Sequence, residues 1–424
     1  MTVSDTSPHR MTAALALRVF LPFAFGYFLS YLYRVVNAVI APDLIADLGL
    51  DASALGLLTA AYFLTFAAAQ LPLGILLDHY GPRRVEAGLL VVAAIGAAAF
   101  ALAPNTPVLI VARGLIGLGV SACLMAAFKA YVQWFPKERL ALVNGFQMMA
   151  GGLGALAATE PVEAMLGLTD WRGVFWMLAG LTLLAAVLIN FVVPEHGGYG
   201  GGGRDPDAKL KDALGGVKAI FTSAVFWRAA PVCMMSQATF LSIQGLWSGP
   251  WLRDVAGLER EAIALYLFWI AASMIAGFFT WGLIAERLQK LFGVRPMSIA
   301  ALGMVLFLGV QIVITSAAMV GNGVLTMVVW MAFGFFATSG ILPYAALSQA
   351  FDAKLAGRVN TALNLLVFVL AFGGQWAVGA IIDLWPQTAA GNYAPEGYQA
   401  AFTTMIGLQA LALLWFWARR RIVI

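Results

Sequence analysis

Four ionisable side chains fall inside hydrophobic stretches of this 424-residue chain, namely Arg34, Arg113, Lys129 and Glu160. A basic group near the centre of a membrane-spanning helix costs roughly 3 kcal/mol on insertion scales, so function is the default expectation for such residues. Three cations against one acid leave an excess of buried positive charge, which is destabilising unless it is paired. This excess of buried positive charge therefore predicts a binding site for an anion that binds reversibly. Arg34 is its expected ligand, because a guanidinium engages carboxylate or phosphate through two hydrogen bonds.

Each of these residues also has a structural interpretation. Arg34 could bond backbone carbonyls or an Asn across a helix bundle. Arg113, about five residues into its stretch, could pair with Glu160. Lys129 lies near the end of its stretch and could extend to the membrane surface.

The chain is 62% hydrophobic and 11% charged, whereas soluble proteins are about 45–50% apolar and 25% charged. This composition predicts an integral membrane protein, since apolar runs long enough to cross a bilayer occur twelve times. The expected spans 1 to 12 are 19–41, 54–77, 85–103, 107–135, 139–166, 173–193, 226–251, 262–285, 296–319, 324–350, 358–384 and 399–418. The fold class expected from them is all-α, with twelve transmembrane helices in two pseudo-symmetric bundles of six.

Lysine and arginine are distributed unevenly between the loops. With both termini cytoplasmic, 19 of the 25 basic residues fall on the cytoplasmic side, and Arg172, Arg253 and Arg260 fall on the other side. Because basic loops stay in the cytoplasm, we predict this topology, in a multi-pass protein of a bacterial-type inner (plasma) membrane.

The chain divides at a glycine-rich segment between spans 6 and 7. We expect an N-terminal bundle over residues 1–193, a cytoplasmic linker over 194–223 and a C-terminal bundle over 224–424. The glycine run at 200–203 is typical of a flexible linker, and the basic stretch 207–221 suits a helix on the membrane surface.

The two halves repeat each other. "GILLDHYGPRRV" (74–85) and "GLIAERLQKLFGVRP" (282–296) share a glycine, an apolar pair, an acid and a later glycine and arginine. The first of these loops, with Asp78, Arg83 and Arg84, resembles the signature loop of the major facilitator superfamily, as does "RGLIGLGVS" around Arg113. The resemblance implies two six-helix bundles that alternate around a mid-membrane cavity. It also implies a conformational latch at the loop, and proton coupling or helix packing for Arg113.

The stretch "YLYRVVNAVIAP" in span 1 resembles the organophosphate:phosphate antiporter branch, which includes sugar-phosphate permeases. In that branch an arginine at this place binds phosphate, together with a second arginine in span 7. Span 7 of this chain has no arginine there, so a carboxylate or a zwitterion becomes more plausible than a phosphate ester. Gln237 and Gln244 stand seven residues apart and are expected on one face of span 7; helix–helix hydrogen bonds are the alternative role for them.

Two sets of site residues follow from these observations. The predicted substrate-binding residues are Tyr31, Arg34, Asn37, Lys129, Gln237, Gln244, Trp247, Tyr344 and Asn364. The predicted coupling or gating residues are Asp78, Arg83, Arg84, Arg113 and Glu160. No cofactor or metal is expected.

The function predicted from the sequence is secondary active transport of a small organic anion, with a possible co- or counter-transported ion and with a monomer sufficing. A transporter-like membrane sensor, and a proton-coupled carrier of a non-anionic solute, stay open as alternatives. An enzyme is not expected, because no catalytic cluster and no nucleotide-binding glycine loop is present. The basic residues lie in membrane loops, so no nucleic-acid partner is expected.

Overall fold

The computed structural model describes residues 13–136, 139–195, 215–216, 218–351, 355–389 and 391–422. Throughout these ranges the regular structure is helical, which agrees with the all-α prediction. Most of the predicted linker and its surface helix lie outside the described residues; of that stretch, 215–216 and 218–221 are helical.

The helices follow the predicted spans closely. In the first half they are Ala13–Val35 and Asn37–Leu48 (span 1), Ala52–Tyr80 (2), Pro82–Leu102 (3), Thr106–Gly119 and Cys123–Trp134 (4), Leu140–Ala157 and Glu160–Leu166 (5), and Trp171–Val192 (6). In the second half they are Ala224–Ser242, a π-helix Ile243–Trp247 and Ser248–Asp254 (7), Arg260–Phe292 (8), Pro296–Ser316 (9), Gly323–Ala337, a 3-10 turn Thr338–Ile341 and Leu342–Ala350 (10), Ala356–Ile382 (11) and Pro395–Ala418 (12).

Ten of these segments are long and apolar enough to cross a membrane. Spans 5 and 7 complete the twelve; both are interrupted, and span 7 carries an internal proline and several polar residues. The end of the bundle where span 1 begins and span 12 ends is called the terminal face below, and the opposite end the distal face.

Short polar residues start several helices at the distal face. The side chains of Asp51, Asn105, Asp170 and Asn322 accept hydrogen bonds from backbone N–H groups of spans 2, 4, 6 and 10. Such N-caps satisfy donors that the first helical turn cannot pair internally. Each of these helices starts within a few residues of the end of the previous one, so the distal loops that precede them are short.

Spans 1, 4, 7 and 10 change helical geometry partway along their length. Prolines account for two of these interruptions: Pro250 and Pro343 each lack an N–H and crowd the carbonyl one turn earlier. The chain breaks at Val36 in span 1, forms the π-helix in span 7 and forms the 3-10 turn in span 10. Irregular backbone at membrane depth is tolerated where it faces protein or a cavity, and all four of these spans line the cavity described below.

The two halves are joined at the distal face. Arg260 at the start of span 8 holds both oxygens of Asp43 (2.8 and 2.7 Å) and one oxygen of Glu163 (2.5 Å). Asp43 and Glu163 belong to the first half and Arg260 to the second, so this cluster bridges the halves. We call these three residues the distal clamp.

A second distal contact links span 11 to span 2. The Asp383 carboxylate accepts hydrogen bonds from the backbone N–H groups of Ala52 (3.0 Å) and Ser53 (2.6 Å). Nearer the centre, the rings of Phe66 and Phe368 meet with centroids 4.3 Å apart. The halves are therefore held together from the distal face to mid-depth.

Candidate functional site

A cavity of about 310 Å³ lies between the halves on the terminal side of this closure. Spans 1, 2, 4, 7, 10 and 11 supply most of its wall, which is largely aromatic and aliphatic. The polar side chains that face it are Tyr27, Ser30, Tyr31, Arg34, Gln70, Ser121, Gln237, Tyr344, Asn360 and Asn364. Pockets that hold small ligands are typically apolar with a few converging polar groups, so this cavity has the form of a ligand site.

Arg34 is the one charged residue among the described residues that line the cavity. It is 6% exposed and its Nε atom has no acceptor. Aromatic rings, and not a carboxylate, contact the guanidinium. Its carbon lies 4.4 Å from the ring centre of Tyr31, 5.4 Å from that of Phe368 and 5.5 Å from that of Phe66. Cation–π contacts of this kind contribute up to about 2 kcal/mol when desolvated. The cation is thus supported while the cavity carries no acid to compete with an anionic ligand.

The second half contributes amides and hydroxyls across the cavity from Arg34. Tyr344 donates its hydroxyl to the Asn364 side-chain oxygen (2.6 Å), and Ser348 donates to the Asn360 oxygen (2.8 Å). Because these bonds occupy the oxygens, the amide nitrogens are left as donors. Gln237 donates to the Ala337 carbonyl (3.1 Å), which fixes its position in the wall. This side of the cavity is neutral and rich in hydrogen-bonding groups.

Of the predicted substrate-binding residues, the structure brings Tyr31, Arg34, Gln237, Tyr344 and Asn364 together around the cavity. It does not bring the other four there, and the binding roles of all nine stay predictions.

Asn37, Gln244 and Trp247 are buried away from the cavity lining. The Asn37 amide donates to Thr59 (2.9 Å), and the Trp247 indole donates to the Gln375 carbonyl (2.9 Å). Gln244 lies about two turns beyond Gln237, within the π-helix Ile243–Trp247, and is not among the residues that line the cavity.

Lys129 reaches the terminal face, where its ammonium forms an ion pair with Asp78 of the loop between spans 2 and 3. Arg84 of the same loop pairs with Glu195, after span 6. Arg83 is partly buried and its Nε atom has no acceptor. The loop is therefore tied to spans 4 and 6 of its own half.

Arg113 is fully buried behind the cavity wall and donates to the Tyr33 carbonyl (2.6 Å), with its guanidinium carbon 5.1 Å from the Tyr62 ring centre. It thereby supports span 1 just before the break at Val36. The alternative pairing with Glu160 is not found, because Glu160 is exposed at the start of the helix Glu160–Leu166.

The prediction that Glu160 is the one acid within the spans is wrong. Glu86 is fully buried in span 3, and neither of its carboxyl oxygens has an N–H or O–H partner. The sequence contained a signal for it. Proline is favoured at the first helical position, and Gly81-Pro82 starts span 3 there, which places Glu86 more than one turn inside the helix.

Together, these features can bind a small anion and expose it to alternate faces. A lone cation with hydrogen-bond donors opposite fixes one acidic group and several neutral polar ones. Within the described residues no group of His, Cys, Asp and Glu side chains could hold a metal ion.

The sequence matches the Major Facilitator Superfamily over residues 23–375. It is 24% identical over 298 residues to a probable sulfoacetate transporter of Cupriavidus necator, covering 67% of each chain. It is 25% identical to a hexuronate transporter of Escherichia coli K12, covering 67% of this chain and 69% of that one. A hexuronate transporter of Bacillus subtilis is 23% identical over 397 residues, with 89% of this chain and 90% of that one covered.

Solved structures share the fold. A bacterial homologue of the human lysosomal transporter Spinster, in an inward-facing and unoccupied conformation, has a TM-score of 0.77 at 17% identity and covers 97% of this chain and 98% of that one. A D-xylose–proton symporter has a TM-score of 0.73 at 15% identity, with 95% and 97% covered.

Proposed function

The chain belongs to the Major Facilitator Superfamily, and from this premise we propose that it is a secondary transporter for a small monoanionic organic acid with several hydroxyl groups, a hexuronate being the best fit. The observation that carries the proposal is the cavity with one cation, Arg34, and neutral donors opposite. Its relatives among hexuronate and sulfoacetate transporters support an organic acid.

The number of charges in the cavity favours one acidic group over two. A carboxylate can accept two parallel hydrogen bonds from the Arg34 guanidinium. A second acidic group on the ligand would meet only neutral side chains. A hexuronate has one carboxylate and hydroxyls that suit Gln237, Asn360 and Asn364. Sulfoacetate has two acidic groups and no hydroxyl, so it uses this cavity less well. A volume of about 310 Å³ also suits a molecule of sugar size.

The distal clamp and the terminal position of the cavity fit one state of an alternating-access cycle. We infer that the terminal face is cytoplasmic, because the basic loops lie there, and that the protein is a monomer in a bacterial inner membrane. The conformation is then inward-facing: substrate enters or leaves at the terminal face, and opening of the distal closure exposes the same cavity to the other side.

A thermal-shift assay on the purified chain tests the substrate class. D-Glucuronate and D-galacturonate are expected to raise the melting temperature, sulfoacetate to do so less and D-glucose not at all, since a bound ligand stabilises the fold in proportion to its occupancy. Loss of a charge-assisted bidentate contact costs about 3 kcal/mol, or roughly 100-fold in affinity. Arg34→Gln should therefore abolish the shift.

Two further variants make the assay specific. Arg34→Lys keeps the charge without the fork, so a weakened response is expected. Lys290→Gln removes a cation from an exposed pair with Glu286 and should respond as wild type does. An equal response of Arg34→Gln and wild type to the uronates, or a response to D-glucose alone, would contradict the proposal.

A further inference from the structure

A carboxyl group is enclosed in the first half of the protein, away from the substrate cavity. Glu86 is 0% exposed, and its Oε1 and Oε2 atoms have no N–H or O–H partner; the Cys123 thiol, a weak donor, is the polar group beside them. It does not line the cavity and belongs to none of the ion pairs of the described residues. This isolation distinguishes it from Asp43, Glu163 and Asp383, which are all hydrogen-bonded.

The surroundings of Glu86 are formed by spans 1 and 4. Span 1 faces it with Gly26, where an added Cβ would lie 2.5 Å from Oε1, so the carboxyl occupies the space beside this glycine. The titratable groups that face it are Cys123 and Tyr131 of span 4. The Tyr131 hydroxyl is already used, since it donates to the Gln147 side chain (2.7 Å).

Among the residues that the structure describes, no cation pairs with the carboxyl. On its own helix, Arg84 pairs with Glu195 instead, and Lys129 of span 4 pairs with Asp78. An ionised carboxylate with no cation and only a thiol as donor is strongly disfavoured inside a protein, whereas the protonated acid is neutral and is tolerated far better. The enclosed carboxyl therefore suits a bound proton.

We propose that Glu86 is a proton-binding site, occupied in the conformation described here, and that release of its proton is linked to movement of span 1 during transport. Span 1 is the shared element: Gly26 touches Glu86, the next residue, Tyr27, lines the cavity, and Arg34 lies two turns further along the same helix. An element that both ligands contact can couple them when it has two arrangements.

The charges of this coupling balance. One anion on Arg34 and one proton on Glu86 together carry no net charge, so their joint movement is electroneutral. This part rests on the proposed function. It predicts that a pH gradient drives accumulation of a monoanion while a membrane potential alone does not.

Infrared spectroscopy of the purified chain tests the proton site without any substrate. A protonated carboxyl has a carbonyl stretch above the amide bands, so the wild type at neutral pH should show one that is lost in Glu86→Gln and shifted in frequency in Glu86→Asp. The control Glu396→Gln removes an exposed acid and should leave the band unchanged. Absence of the band in wild type, or its persistence unshifted in both Glu86 variants, overturns the proposal.

Proteoliposomes loaded with D-glucuronate test the coupling. Counterflow of labelled D-glucuronate reports transport itself, and accumulation under an imposed pH gradient reports coupling. Wild type should show both activities, and Glu86→Gln should keep counterflow while losing at least tenfold of the driven accumulation.

The outcomes separate the two proposals. Driven accumulation equal to wild type in Glu86→Gln, or normal counterflow in wild type without accumulation under the pH gradient, overturns the coupling role of Glu86. Absence of counterflow in wild type contradicts the proposed substrate, and the infrared result then decides the proton site on its own.

Discussion

Replacing Arg260 by Met should release the distal face. Arg260 makes three charge-assisted hydrogen bonds, at 2.5 to 2.8 Å, to two acids of the other half. The side chains are 38%, 27% and 15% exposed for Arg260, Asp43 and Glu163, so solvent screens part of the attraction. We take about 2 kcal/mol, between the value of an exposed pair and that of a buried one. This corresponds to roughly a 30-fold rise in the ratio of distal-open to distal-closed protein.

Thiol labelling measures that ratio. Val39 lies at the closure and is 5% exposed, so Val39→Cys should react with a membrane-impermeant maleimide only when the distal face opens. The native cysteines, Cys123 and Cys233, are buried and give a low background. The labelling rate is expected to rise roughly 30-fold in Arg260→Met, in line with the estimate above.

Two controls separate the bridge from other effects. Lys290→Met makes the same kind of change in an exposed pair within one half and should leave the rate as it was. Arg260→Met leaves Asp43 and Glu163 to repel each other without their cation. Neutralising all three residues of the distal clamp removes that repulsion, so the labelling rate of the triple variant should fall between those of wild type and Arg260→Met. If Arg260→Met has the wild-type melting temperature and labels within twofold of wild type, the clamp does not hold the halves together.

Two packing contacts give further predictions. Gly154→Ala should lower the melting temperature by several degrees, because an added Cβ would overlap the Phe28 carbonyl oxygen, whereas Gly145→Ala on the same span meets nothing within 4 Å and should be neutral or stabilising. Gln311 and Gln409 exchange hydrogen bonds at 3.1 and 2.8 Å between spans 9 and 12. Gln409→Leu should therefore destabilise by about 1 kcal/mol, and the double Leu variant should recover most of that loss; an equal or larger loss in the double variant would contradict the pairing.

The positions of the spans could be predicted from the sequence because the apolar runs are long and are punctuated by Asp, Asn, Pro and Gly. The helix Thr106–Gly119, for example, begins one residue before its predicted start at 107. The interruptions inside the spans could not be placed, because a proline indicates a break nearby without saying which helical geometry replaces the α-helix. The π-helix at Ile243–Trp247 is such a case; it contains Gln244 and Trp247, which fall outside the cavity.

Some site residues could likewise be predicted from the sequence, and others could not. Arg34 could be identified because a charge deep in an apolar run has few explanations. Glu86 was missed although it falls inside predicted span 3 (85–103), because it stands at the basic end of that span, next to Arg83 and Arg84. Its contact with Gly26 joins residues sixty positions apart, and sequence spacing carries no information about such a contact.

The aromatic rings around Arg34 also bear on the step in which the carrier returns without cargo. A bare guanidinium would make that step costly, because the cavity must close around an unsatisfied charge, and the protein would then depend on a second anion for the way back. Tyr31, Phe66 and Phe368 supply part of that stabilisation themselves. By contributing to that stabilisation, the rings reduce the dependence of the proposed carrier on a second anion during its return.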